Sequence, residues 1–159
     1  MKLTILILLF AIQTTTLAQA DDHIIRQHVL EKDIIDSTFV FGNWTENGGT
    51  ETHLTYLGEV KTDTQQAFKV MNSVWLWGIS QHATNRILVF NEKNQYVGEY
   101  RISTTDDMPT KLRDGVLIFE NTGADCDNNL ITKIDLTRGL PFRFFRKCQG
   151  PFGDVYSFN

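Results

Sequence analysis

Ala67-Phe68-Lys69-Val70-Met71-Asn72-Ser73-Val74-Trp75-Leu76-Trp77 sets the layering of the whole chain. As a strand it sends Phe68, Val70, Val74 and Leu76 to one side, with Asn72 interrupting, and Lys69, Met71, Ser73, Trp75 and Trp77 to the other. A strand with one wet face would carry polar residues on its second side, yet Met71, Trp75 and Trp77 are large and apolar. Three arrangements meet this demand. A helix covers the second side; the strand is central in a two-layer structure; or the Trp pair lines a ligand cavity or a partner surface. Large aromatics are usually buried for packing, while Trp is also enriched at interfaces and in small-molecule pockets.

On both sides of it the texture is β from Ser37 onward, with strands expected over 38–44, 51–60, 67–77, 86–91, 96–103, 115–120, 130–136, 142–148 and 154–158. Asn47-Gly48-Gly49 supplies a tight turn, because Asn and Gly accept positive φ. Glu92-Lys93-Asn94-Gln95 is a compact hairpin connection, and Thr137-Arg138-Gly139 is another. Connections this short carry no crossover helix, so neighbouring strands should pair antiparallel. Before them, Ile24, Ile25, Val29, Leu30, Ile34 and Ile35 give a helix over 22–36 one apolar face, with Asp21 and Asp22 at its positive end. The expectation is a mainly β domain: one N-terminal helix, then an antiparallel meander of eight or nine strands. Barrel and two-layer sandwich both fit the pattern.

The start of the chain reads as a leader. Lys2 precedes an apolar run from Leu3 to Ile12, and Ala18-Gln19-Ala20 supplies a small-x-small cleavage pattern. That run is too short to span a bilayer. Residues 1–20 are therefore expected to be a signal peptide and 21–159 a single domain. Their removal takes away one lysine and no acid, making the formal charge more negative than the −4 of the full chain. An acidic, exported chain with no membrane anchor fits a secreted or periplasmic protein and excludes a basic nucleic-acid binder. Cys126 and Cys148, the chain's two cysteines, should then form a disulfide.

Gly42-Asn43-Trp44 lies on the first expected strand, just after the helix. This Gly-x-Trp resembles the signature near the first strand of lipocalins, which implies a barrel and a ligand-carrier role. Asn43-Trp44-Thr45 also matches a glycosylation sequon. If cleavage follows Ala20, the mature chain begins Asp21-Asp22-His23. A free amine, two backbone amides and the His23 imidazole then form a square-planar set suited to Cu(II). His23 and His28, five apart, do not stack on one helix face, His53 and His82 are isolated, and Asp106-Asp107 and Asp125-Cys126-Asp127 lack the spacing of a calcium loop. Arg138, Arg143, Arg146 and Lys147, interleaved with Phe142, Phe144 and Phe145, read as the charges of a protected edge strand.

No nucleophile elbow, zinc helix, phosphate loop or dinucleotide fingerprint is present. No catalytic residue and no cofactor is expected. The reading is a non-enzymatic binding module for a small apolar ligand or a protein partner, with Trp75, Trp77, Met71 and Trp44 as contact residues. A periplasmic inhibitor or immunity-type protein is the alternative; an enzyme or a Cu(II) protein stands behind both.

Overall fold

A computed structural model describes residues 16–159, with side chains from residue 22 onward. Most of the expected leader, residues 1–15, lies outside the described residues. Helix α1 (Thr16–Lys32) precedes ten strands: β1 (Thr38–Gly42), β2 (Glu51–Lys61), β3 (Ala67–Trp77), β4 (His82–Asn91), β5 (Tyr96–Ile102), β6 (Lys111–Arg113), β7 (Val116–Glu120), β8 (Ile131–Asp135), β9 (Arg143–Gln149) and β10 (Phe152–Ser157). The count exceeds the eight or nine expected because β6 has only three residues, too few for an alternation to register.

Helix α1 stops at Lys32, short of residue 36, because Asp33 takes a left-handed φ of 52° and closes the last turn. Ile34 and Ile35 thereby leave the helical face and stand half exposed. At the other end α1 is already formed at Thr16, so Asp22 lies inside the helix and pairs with Arg26 one turn on.

Strands β1 to β5 pair in sequence order as one antiparallel sheet; β6-β7-β8 and β9-β10 form two smaller ones. The large sheet keeps β1 and β5 at opposite edges, so no barrel closes and the lipocalin-like expectation gives way to a sandwich-like layout. Central β3 is apolar on both sides for two reasons at once. Its Val70 packs with Ile87 and Val89 against Leu117, Phe119 and Phe144 of the smaller sheets. Its Met71 is fully buried with Leu54, Tyr56, Leu88 and Phe90 beneath Val29 and Leu30 of α1. Each such buried aliphatic side chain contributes on the order of 2 kcal/mol.

The polar interruption at Asn72 has a partner: its Nδ2 donates to the Pro109 carbonyl at 2.8 Å. Buried Asn85 accepts from the Thr105 hydroxyl at 2.9 Å, so both residues hold the β5–β6 connection against the sheet. Phe158 and Asn159 lie along β5, where Asn159 exchanges both backbone hydrogen bonds with Glu99 at 3.0 Å. Gly98 makes room for them, since a Cβ there would stand 2.4 Å from the Phe158 ring. A disulfide joins Cys126, in the β7–β8 loop, to Cys148 on β9.

Arg146 departs from the edge-strand expectation. It is 1% exposed, and its Nη1 lies 2.7 Å from Asp107 Oδ1. Its Nη2 donates to the Asp106 carbonyl at 3.3 Å, while the Tyr156 hydroxyl donates to Asp107 Oδ2 at 3.3 Å. The cause is register: Phe144, Arg146 and Tyr156 share the inward side of the β9–β10 hairpin, and Arg143, Phe145 and Val155 face outward.

Candidate functional site

Helix α1 covers only part of its side of the large sheet. The rows carrying Tyr56, Met71 and Leu88, and Leu54 beside them, are sealed. Towards the β1–β2 and β3–β4 turns a cleft of about 760 Å³ lies between α1 and the strands among the described residues. Its floor is the cross-strand row Phe41, Thr52 and Trp75, with Ser73 and Arg86 in the next row inward. Its roof is the α1 segment bearing Asp22, Ile24, Ile25 and Arg26.

Trp75 is 37% exposed and Trp77, two residues on along the same face, is 38% exposed. Their rings stack with centroids 5.7 Å apart, and the Trp77 ring lies 4.9 Å from that of His82, its cross-strand neighbour. The Trp77 Nε1–H donates to the Thr84 hydroxyl at 3.1 Å, which fixes the indole. An aromatic ladder therefore leads from the cleft to the tip of the β3–β4 hairpin.

The charges are distributed unevenly. Asp22 and Arg26 form a hydrogen-bonded ion pair along the helix. Arg86, across the sheet from Ser73, has Glu99 as its nearest acid, at 3.9 Å. Glu99 is already engaged by Arg101 Nε at 2.9 Å and by the Tyr96 hydroxyl at 3.1 Å. Among the described residues the lining contains no His, no Cys and no carboxylate besides Asp22.

Of the residues marked from the sequence, Trp75 lines this cleft and Trp77 extends it. Met71 is fully buried and offers no surface to a ligand; helix cover claims it. Trp44 sits at the same end of the sheet outside the lining, its Nε1 donating to the Gly78 carbonyl at 2.7 Å and tying two turns together. Gly42 serves that turn: its φ is 80°, and a Cβ would meet the Thr50 carbonyl oxygen at 2.4 Å. Behind it Glu51 accepts from the Trp44 backbone N–H at 3.3 Å and pairs with His53 Nε2 at 2.5 Å. The His53 contact, then the Trp44 amide, holds the Glu51 carboxyl below the usual range. His23 is exposed within α1.

No family model, no curated protein and no solved structure matches the chain. The site therefore rests on its own geometry. Arg86 and Ser73 escaped the sequence reading, because a polar pair facing each other on adjacent strands is visible only once the register is known.

Proposed function

We propose that this chain is a small exported, non-enzymatic binding protein and that the cleft under α1 holds its ligand, a compact molecule with an apolar body. One observation carries the reading: a cleft of about 760 Å³, floored by Trp75 and Phe41, with a few converging polar groups. Ligand sites typically enclose about 300–1,000 Å³ with such a mixture. Its single described carboxylate, engaged by Arg26, supports binding over acid–base chemistry. Export is supported by the leader pattern and the Cys126–Cys148 bridge.

The test is calorimetric titration with eight-carbon probes, octanoate and octanol, on the wild type, Trp75→Ala and Met71→Ala. Trp75→Ala should abolish binding and leave the thermal midpoint nearly unchanged. Met71→Ala should cost about 2–5 kcal/mol of stability, as truncation in a core does, and still bind when folded. Neither probe binding the wild type, or full binding by Trp75→Ala, overturns the reading.

A second reading, docking of a protein partner, draws on the outward side of the β9–β10 hairpin. There Phe152 and Val155 are 74% and 59% exposed beside Arg143 and Lys147. Phe152→Ser with Val155→Ser would remove that surface without changing probe binding at Trp75.

A further inference from the structure

We propose that the cleft selects amphipathic monoanions, with a carboxylate or sulfonate head group held by Arg86 and an apolar body lying on Trp75 and Phe41. This rests on the cleft being the ligand site and adds the class of ligand.

A guanidinium withdrawn from water needs an anion and acceptors for its five N–H groups. The Arg86 side chain is 24% exposed, and its Nε is removed from water with no hydrogen-bond partner among the described residues. Glu99, at 3.9 Å, is beyond hydrogen-bonding reach and already holds Arg101 and Tyr96. On the other flank Arg86 faces Ser73, and its remaining register neighbour, Arg101, carries the same charge. Arg26, the second cation of the lining, is neutralised by Asp22. The cleft is left with one undercompensated positive charge, at Arg86.

That pattern sets the ligand's sign and size of charge. A cationic ligand would meet Arg86 with no free acid, since Asp22 is occupied. A single planar guanidinium matches one carboxylate, which it can grip through two parallel bonds. Ser73, 3% exposed and opposite Arg86, carries a hydroxyl that can donate to the same head group. Beyond the polar pair, the rings of Trp75 and Phe41 and the Ile25 side chain offer apolar surface to the rest of the molecule, with Thr50 and Thr52 beside them.

Octanoate, octanol and octylammonium share one chain and differ in head group, so calorimetric titration of the three isolates this claim. Octanoate should bind wild type about tenfold tighter than octanol, the scale of one added charge-assisted contact. Arg86→Gln should erase that preference, and Arg86→Lys should keep part of it. Should Arg86→Gln fail to fold, added salt on the wild type gives the same readout, by weakening octanoate selectively. Equal binding of octanoate and octanol, a preference surviving Arg86→Gln, or octylammonium binding tightest overturns the inference while the apolar cleft stands. If none of the three binds, the cleft itself is not the site and both readings fall.

Discussion

Asp107→Ala is the sharpest perturbation of this fold. Arg146 is 1% exposed and has one anionic partner among the described residues, Asp107 Oδ1 at 2.7 Å. Without that carboxylate, the guanidinium keeps the Asp106 carbonyl at 3.3 Å and a long contact to Cys126 Sγ at 3.9 Å. Arg146 Nε already lacks a partner among the described residues. Breaking a buried pair from one side costs about 3–5 kcal/mol, because the surviving charge is stranded. For a domain of this size each kcal/mol moves the midpoint by about 3 °C, so Asp107→Ala should melt about 10–15 °C lower. The companion variant, Asp107→Leu with Arg146→Met, removes both charges and should recover most of that loss, since apolar replacements of a buried pair are often neutral. Circular dichroism melts of the wild type and the two variants measure the coupling. A single variant that loses under about 1 kcal/mol, or a double variant no better than the single, refutes the stranded-charge reasoning.

Two further predictions follow from the structure. Cys126→Ser with Cys148→Ser reopens a loop closed across 22 residues and should cost about 3 kcal/mol in chemical denaturation, matched by reduction of the wild type. Glu51 has its carboxyl held below the usual 4.5, so its contribution is complete above that value and disappears as pH falls through the lowered one. The wild type should therefore lose more thermal stability than Glu51→Gln on going from about pH 5 to about pH 3; parallel acid melts would show that Glu51 is idle.

The fold was largely legible because β3 states its environment in both directions. Phe68 and Val70 call for one apolar layer and Met71 for another, and the structure supplies the small sheets and α1. The turns at Asn47-Gly48-Gly49 and Glu92 to Gln95 were legible from their chemistry alone. The helix end was not, because Asp33 adopts a left-handed φ that its residue type permits without announcing. Arg146 was misread for a related reason: an arginine at an inward register looks polar in sequence, and the Asp107 carboxylate and Asp106 carbonyl make it tolerable there. At the site, Trp75 stood out by size. Its neighbours did not, since Arg86 and Ser73 come from different strands and Asp22 to Arg26 from the helix.

Phe158 and Asn159 cover the outer side of β5. Beside Glu99 and Tyr100, these residues occupy backbone groups that an outer strand would otherwise present to another chain. The opposite margin, β1, is five residues long and ends where Gly42 turns left-handed. Such a margin is a poor template for strand addition. Strand addition to the five-stranded sheet is thus obstructed on one flank and cramped on the other.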